Sequence, residues 1–398
     1  MTKKLYYQSS YIKKWTTTIK RKMEVESEKF VVLEETAFYP HGGGQPSDTG
    51  RIGTAYVLDV FQDGDDVVHR VDTYPETNEV ECEINWSRRF DHMQQHSGQH
   101  LLSAVCRGLL DAPTLSFHLG AEDVTIDVNK PEISASEWLR IEEAVNQEIY
   151  HNRTIASYFV TSEELNHLSV VKLPTVTENI RIVEIEGIEH NACGGTHVAS
   201  TGEIGLIKLY KKEKQKGGTR IYFKCGARAM ADYRKHLQLL NAISNKFNTN
   251  QEQIMDRLDN WEKNMRYLEE QLHKLKEEND DYLAKHLLHE NKGKFIAHVC
   301  ENKSAKDTQV LAEKIAKENK ITVLFVAKDE NKVVLSRGGD SELSCGKFFK
   351  QHLSLFNGRG GGNDRSAQAG FSNEEDMQRF FMFAEHELRA MLQTKIEG

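Results

Sequence analysis

Alternating apolar and polar positions divide the chain into four regions. In residues 1–88, Gly- and Asp-rich turns separate short β-rich runs, which are KFVVLEETAFY, TAYVLDVFQ, DVVHRVD and EVECEINW. This alternation is typical of a small antiparallel β-barrel. Residues 89–229 mix two periodicities: helical patterns cover MQQHSGQHLLSAVCRGLL and about residues 134–151, and strand patterns occur in VTIDV, IASYFV, NIRIVEI, IGLIKLYK and TRIYFKCG. The second region therefore predicts an α+β domain.

Residues 230–290 carry a heptad seam. Its apolar positions are spaced alternately by four and three residues: Ile254, Leu258, Trp261, Met265, Leu268, Leu272 and Leu275. Such spacing predicts a coiled-coil helix, and a shorter helical stretch before it ends near FNTNQEQ. An antiparallel helical hairpin within the chain and a coiled coil between two chains both satisfy the seam. We favour the hairpin, and a homodimer through the helical or the C-terminal region stays open.

Residues 291–398 predict a separate small α/β domain. Its elements are a strand in FIAHVC, a helix over 305–319, strands in ITVLFVA and KVVLSR, a helix over 346–356 and a final long helix. Before the last helix lies Gly358-Arg359-Gly360-Gly361-Gly362. A glycine loop beside a basic residue binds phosphate or a nucleic-acid backbone at main-chain N–H groups, and a tight turn explains the same glycines equally well. The four regions together predict an α+β multidomain protein.

Length and cysteine use narrow the class of protein. A chain of 398 residues has room for two to four domains with proper cores. Its six cysteines are scattered singly and do not form a disulfide framework. The start, MTKKLYYQSSYIKKW, has no apolar signal region, and no stretch approaches the length of a membrane-spanning helix. We expect a cytoplasmic protein with no membrane partner.

The charge is unevenly distributed. A formal net charge of −8 argues, taken alone, against a nucleic-acid partner. Residues 1–23, however, contain seven Lys and Arg residues and no acid, and IKLYKKEKQKGGTRIYFK contains seven basic residues against Glu213. Such patches can neutralise phosphates in an acidic chain. Solvated strand faces and a flexible hairpin tip explain each patch equally well.

Two short motifs supply metal-ligand chemistry. His96 and His100 lie four apart in the predicted helix, on one helical face, and Cys193 and His197 follow about ninety residues later in NACGGTHVAS. Three imidazoles and a thiolate are the ligands that tetrahedral zinc prefers. No Glu follows His96, which excludes the HExxH arrangement of zinc proteases. His92, one turn earlier, is expected at the helix start as an exposed or capping residue.

A second glycine-rich element lies in the predicted barrel, in Pro40-His41-Gly42-Gly43-Gly44-Gln45-Pro46. Three consecutive glycines lose much conformational entropy on ordering, which indicates a place where the backbone must approach another group closely. A hairpin turn is the competing interpretation.

Six motifs, in this order, resemble the AlaX family of alanyl-tRNA editing proteins, in the long form that carries the C-terminal DHHA1 domain of alanyl-tRNA synthetase. They are TAFYPHGGGQPSDTG, HMQQHSGQHLLSA, SFHLGAEDVTID, CGGTHVASTGEIG, GGTRIYFKCGARA and FNGRGGGNDRSAQAG. The motifs cover nearly the whole chain, and nothing in it resembles the adenylation domain of a synthetase. The resemblance implies a free-standing editing factor.

The resemblance also implies a reaction and a set of site residues. The reaction is hydrolysis of the ester that joins a wrong amino acid, chiefly serine and also glycine, to tRNA(Ala). The Zn2+ ligands fall on His96, His100, Cys193 and His197. Catalytic roles fall on Thr36, as the serine-sensing hydroxyl, and on Gln45. The substrate-binding candidates are Gly42, Gly43, Gly44, Arg359, Gly360, Gly361 and Gly362.

Selectivity for serine needs a polar contact. Alanine is smaller than serine, so a pocket that admits serine cannot reject alanine by size. A threonine hydroxyl such as that of Thr36 can bind the extra hydroxyl of serine, and loss of such a buried partnership costs on the order of 1–3 kcal/mol.

Two other classes of protein compete with the zinc-dependent deacylase. Four protein ligands close a tetrahedral site, whereas catalytic zinc normally keeps a position for water or substrate. A non-catalytic RNA-binding or assembly protein with a structural zinc is therefore the main alternative. A metal hydrolase of small esters or thioesters is the third hypothesis, and it gives the C-terminal half no evident purpose.

Overall fold

A computed structural model describes residues 1–172, 178–291, 293–339 and 342–393. The chain folds into two compact units, Met1–Gln251 and Glu252–Gly398. The finer divisions predicted at residues 88, 229 and 290 fall within these units and stay predictions. Within the described ranges, no helix is both long and apolar enough to cross a bilayer.

The first unit begins with eight strands: β1 Lys3–Lys4, β2 Lys14–Val25, β3 Glu28–Leu33, β4 Glu35–Thr36, β5 Gly50–Ile52, β6 Ala55–Asp63, β7 Asp66–Val71 and β8 Glu79–Ile84. Six of them pair as a closed barrel in the order β2-β3-β7-β6-β5-β8, and each pair is antiparallel. Strand β2 is missing from the sequence prediction because only Thr17 of its twelve residues is buried. Its sequence therefore carries little apolar signal.

Helix α1 spans Trp86–Leu110 and carries both predicted histidine ligands. It begins after Asn85, whose side chain accepts a hydrogen bond from the Arg88 N–H, and it ends at Asp111 in the left-handed conformation. Met93, Leu101 and Leu102 are fully buried. Because its apolar face is covered, α1 lies in the interior of the unit. Its polar side chains are therefore held in fixed positions inside the fold.

In its described residues, the rest of the first unit forms two antiparallel sheets and three more α-helices. The elements are β9 Thr114–Leu119, β10 Val124–Val128, α2 Ala135–Tyr150, β11 Ile155–Val160, α3 Ser162–Leu165, β12 Ile180–Ile185, β13 Glu189–Ala192, β14 Ile207–Gln215, β15 Gly218–Cys225 and α4 Gly226–Lys246. The sheet orders are β14-β15-β10-β9 and β11-β12-β13. Helix α1 packs against α2, β9 and β10, and this packing confirms the predicted α+β character.

The second unit is a three-layer α/β domain. Its elements are α5 Ile254–Glu290, β16 Phe295–Cys300, α6 Ala305–Asn319, β17 Thr322–Ala327, β18 Lys332–Arg337, α7 Cys345–His352, β19 Arg359–Gly362, β20 Ser366–Gly370 and α8 Glu374–Gln393. The sheet order is β16-β17-β18-β20-β19. One sheet face packs against α7 and α8, and the other packs against α6 and the C-terminal end of α5.

The C-terminal glycine run is an edge strand, β19, and the prediction of a loop is wrong. Strand β19 pairs antiparallel with β20. A Cβ added at Gly360 would lie 2.1 Å from the Gln368 carbonyl oxygen, and one added at Gly362 would lie 2.2 Å from the Ser366 carbonyl oxygen. The absence of side chains therefore permits close approach of the neighbouring backbone.

The heptad seam lies on one continuous helix, α5, and most of it is exposed. Ile254 is buried, but Trp261, Leu268, Leu272 and Leu275 are each more than half exposed. The coiled-coil and hairpin interpretations of the seam both stay predictions.

A buried ion pair ties the start of α1 to the barrel region. The guanidinium of Arg89 and the carboxylate of Asp48 are both fully buried and form hydrogen bonds with each other. Arg89 also donates to the carbonyl oxygens of Ser10 and Ala37, and Asp48 accepts from the Tyr39 N–H. The pair therefore fixes α1 relative to the segment that precedes the first glycine run.

Replacement of Asp48 by Ala leaves the Arg89 charge buried without a counter-ion. We expect Asp48→Ala to lower the free energy of unfolding of the first unit by about 3–5 kcal/mol, measured by urea denaturation. Glu83→Ala is the control, because it removes an exposed ion pair with Lys14 and should cost less than about 1 kcal/mol. Equal losses in the two variants would show that the buried pair is not a structural anchor.

Candidate metal centre

The four predicted ligands converge in the first unit. Their ligand atoms all lie within 4.8 Å of one another. The Cys193 Sγ is 3.5 Å from His96 Nε2 and 3.4 Å from His197 Nε2. His96, His100 and His197 are buried, and Cys193 is partly buried. The structure thus brings the four predicted residues together in one cluster.

Two local structures position the ligands. His96 and His100 are one turn apart on α1, and their ring centroids are 5.2 Å apart. Cys193 and His197 follow β13 in a loop that passes directly over His96. A Cβ added at Gly195 would lie only 2.2 Å from His96 Cε1, so this position requires glycine.

A buried arginine holds the cysteine loop. Arg181, on β12, donates from Nη1 to the carbonyl oxygens of Cys193 and Gly195, both at 2.8 Å. Its Nε has no hydrogen-bond partner among the described residues. Arg181 was not predicted as a site residue, because its neighbours NIRIVEI have the pattern of an ordinary strand.

Each imidazole uses Nδ1 for a neighbouring polar group. His96 Nδ1 is 2.9 Å from Gln45 Oε1, and His197 Nδ1 is 3.0 Å from Ser97 Oγ. The Nδ1 of His100 lies 3.0 Å from the Asn191 amide nitrogen. In His96 and His197 these contacts leave Nε2 directed at the Cys193 sulfur. Outer contacts of this kind fix ring orientation at metal sites.

The electrostatics of the cluster favour a thiolate. Burial alone raises the pKa of the Cys193 thiol, but the neighbouring His96 and His197 outweigh it and hold that pKa well below its usual value. Burial and His96 lower the pKa of His197 to about 3. Burial lowers the pKa of His100, but hydrogen bonds to Cys193 and Glu189 outweigh burial and raise it to about 9. A metal requires the thiolate form of cysteine.

The donor set fits a divalent transition metal. Three imidazoles and one thiolate within one buried cluster match zinc and its neighbours, whereas hard cations such as Mg2+ take oxygen ligands. His96, His100, Cys193 and His197 would hold the ion.

The ligand cluster opens onto a cavity of about 460 Å³. Tyr7, Tyr39 and Phe117 provide aromatic walls, and Phe117 stacks on His96 with 5.4 Å between ring centroids. Gly42 and Gly43 line the same cavity. A space of this size accommodates a small ligand or the end of a larger one.

The remaining predicted site residues lie outside the cluster of four ligands. Gly44 has φ +83° and lies against Phe117, and Gln45 lies behind His96 with its amide nitrogen 2.8 Å from Thr196 Oγ1. Thr36 is fully buried, and its side chain is not among the residues that line the cavity. Its hydroxyl lies 2.9 Å from His69 Nε2 and accepts from the Phe38 N–H. The residues of β19 belong to the second unit.

His92 corrects a further expectation. It lies well inside α1, which begins at Trp86, and it is only 2% exposed. Burial lowers its pKa to about 4, and its Nδ1 has no partner among the described residues. The helix begins earlier than the sequence predicted, because its first turns, in WSRRFD, are mostly polar and carry little apolar periodicity.

Comparison with known proteins identifies the family to which the chain belongs. Residues 180–222 match the threonyl and alanyl tRNA synthetase second additional domain, and residues 292–390 match the DHHA1 domain. The chain is 31% identical to the alanyl-tRNA editing protein AlaX-L of Pyrococcus horikoshii, over 99% of this chain and 100% of that protein.

Two further relatives match a smaller share of their own length. The alanyl-tRNA editing protein Aarsd1-B of Xenopus laevis is 32% identical over 60% of this chain and 59% of its own. The alanine–tRNA ligase of Ignicoccus hospitalis is 32% identical over 66% of this chain and 30% of its own.

A buried His and Cys cluster, a second additional domain and a following DHHA1 domain define a class of proteins that share domains with alanyl-tRNA synthetases. The chain belongs to the AlaX family of alanyl-tRNA editing proteins, in its long form. The resemblance seen in the sequence is confirmed.

The positioning role of the hydrogen bond between Gln45 and His96 can be tested by mutation. We expect Gln45→Ala to weaken zinc affinity about 10- to 100-fold, because the His96 ring loses the acceptor that orients it. Competition with a chelator of known affinity measures the change. Gln99→Ala is the matched control, because this amide lines the cavity but bonds Ser103 and none of the ligands. Unchanged affinity in a folded Gln45→Ala protein would contradict the positioning role.

Proposed function

We propose that the protein is a trans-editing deacylase that hydrolyses the ester of mischarged tRNA(Ala), chiefly Ser-tRNA(Ala) and also Gly-tRNA(Ala), at a zinc site. The observation that carries the proposal is the convergence of four ligands at the wall of an open cavity. Family membership supports the substrate class, because the relatives are named alanyl-tRNA editing proteins.

The chain's own residues would position the ester. Aromatic walls and the Gly42–Gly43 backbone line the space next to the ligands and would hold the ester there. An aminoacyl ester hydrolyses spontaneously in water, so placement contributes much of the acceleration. A zinc ion, when bound, would supply polarisation of the ester carbonyl, activation of water or an anchor for the substrate's amino group.

Affinity for tRNA would come mostly from phosphate contacts. The β14–β15 hairpin contributes less than its sequence indicates, because much of its positive charge is paired. Its ion pairs are Lys208–Glu142, Lys211–Glu213, Arg220–Asp127 and Lys224–Asp232. Lys214 and Lys216, near the hairpin tip, are exposed. The predicted role of Arg359 and Gly360–Gly362 in substrate binding stays a prediction, as does a homodimer through the exposed seam of α5.

Deacylation of Ser-tRNA(Ala) and Ala-tRNA(Ala), at equal enzyme concentration with and without a zinc chelator, tests the proposal. We expect fast, chelator-sensitive loss of serine with alanine largely spared. A chelator already saturated with zinc is the control, and circular dichroism follows the fold. No loss of serine from intact, zinc-loaded protein would contradict the proposal, and unfolding on chelation would favour the non-catalytic RNA-binding protein. Activity indifferent to the tRNA body would favour the small-ester hydrolase.

Thr36 stays the proposed selectivity residue, and because it does not line the cavity, a contact with the serine hydroxyl would require its segment to shift towards the ligands. Its hydroxyl is held in one orientation by His69 and the Phe38 N–H, in an otherwise largely apolar interior. We expect Thr36→Val to reduce the preference for serine over alanine roughly 5- to 150-fold, and Thr36→Ser to retain it. Ratios of kcat/KM for the two substrates measure the effect. An unchanged ratio with a lowered melting temperature would limit Thr36 to a structural contact with His69.

A further inference from the structure

Apart from the Cys193 sulfur of the ligand cluster, the charged side chains described at the solvent-facing edge of the cavity are basic. None of the described residues that line it is Asp or Glu, although the whole chain is acidic. Lys172 and His41 line the cavity, and both are exposed. The cavity therefore favours an anionic group at its solvent-facing edge.

Lys4 adds a second ammonium group at this edge. Its Nζ lies 3.1 Å from Gln62 Oε1 and 5.7 Å from the centre of the Tyr7 ring, and both Gln62 and Tyr7 line the cavity. The Gln62 amide nitrogen donates to the Gly64 carbonyl oxygen, so the acceptor that holds Lys4 is itself fixed. The ammonium group is thus held beside the opening.

The neighbouring basic residues differ from Lys4. Lys3 pairs with Glu35 at 2.9 Å, Lys14 with Glu83 at 3.1 Å and Lys20 with Asp66 at 3.0 Å. Within the described ranges, no carboxylate lies within ion-pair distance of Lys4 or Lys172. Burial lowers the pKa of Lys4, and the more distant Asp65 partly offsets that effect. Three carboxylates thus pair with part of the N-terminal basic patch, whereas the Lys4 ammonium group at the cavity is held by the neutral Gln62 amide.

We propose that Lys4 and Lys172 form a phosphate-binding rim of the metal cavity, and that they bind the phosphodiester on the 5′ side of the terminal nucleoside. This inference rests on the proposed function and names the part of the substrate that the cavity edge contacts. An ester on the terminal ribose that reaches the metal ligands brings that phosphodiester to the entrance. A phosphate there would meet the ammonium groups of Lys4 and Lys172 and no carboxylate among the described lining residues.

Binding of the dinucleotide CpA and of adenosine to the zinc-loaded full chain, measured by isothermal titration calorimetry, tests the proposal. CpA carries the phosphodiester and adenosine does not. We expect Lys4→Ala to weaken CpA binding roughly tenfold and to leave adenosine binding unchanged, and Lys4→Arg to retain most of the affinity. Lys3→Ala is the matched control, because Lys3 is paired with Glu35 and neither residue lines the cavity. Lys172→Ala should weaken CpA binding in the same direction.

Equal CpA affinity in the wild type and Lys4→Ala, or equal affinity of the wild type for CpA and adenosine, would overturn the phosphate rim. Hydrolysis of Ser-tRNA(Ala), measured separately, distinguishes this failure from failure of the proposed function. Wild type that hydrolyses the ester while CpA binding is insensitive to Lys4→Ala refutes the rim alone. Wild type that does not hydrolyse the ester, while Lys4→Ala loses CpA affinity, supports the rim and refutes the deacylase.

Discussion

The buried ion pair between Arg89 and Asp48 sets the geometry on which the metal centre depends. Arg89 lies two turns before His96 on α1, and Asp48 lies three residues after Gln45. The pair thus fixes the helix that carries two ligands relative to the turn that orients one of them. The two buried charges must stay paired, because a single unpaired charge in the interior carries a large desolvation cost. This requirement leaves little freedom for the helix to slide along the barrel.

From that anchor, a short series of polar contacts orients the cluster. Gln45 Oε1 accepts from His96 Nδ1 and also from the Thr196 N–H, so one amide holds both the helix and the cysteine loop. Arg181 holds the other side of the loop through two carbonyl oxygens. Three segments of the first unit are thereby joined without a disulfide among the described residues. The metal ligands are positioned by the scaffold, which is what a site of defined geometry requires.

Local sequence was enough to predict the parts that repeat or have fixed spacing. The i, i+4 histidines, the cysteine loop and the first three strands of the second unit all follow from such patterns. Strand β2 escaped prediction because its barrel pairing, not apolar burial, gives it structure. Arg181 and the paired lysines of the hairpin escaped for other reasons. Arg181 bonds main-chain carbonyl oxygens, which no pattern of side chains reveals. Lys208 pairs with Glu142, which is distant in sequence, and charge alone does not show which carboxylate lies opposite.

The two ligand pairs lie about ninety residues apart in the chain, and Gln45 comes from a third segment. An unfolded chain therefore holds no preformed tetrad, and closing loops of that length carries an entropic cost before any ligand can act with the others. A metal that binds only the assembled tetrad adds to stability by mass action, in proportion to the logarithm of its free concentration. The unfolding free energy of the first unit would therefore report the free concentration of such a metal.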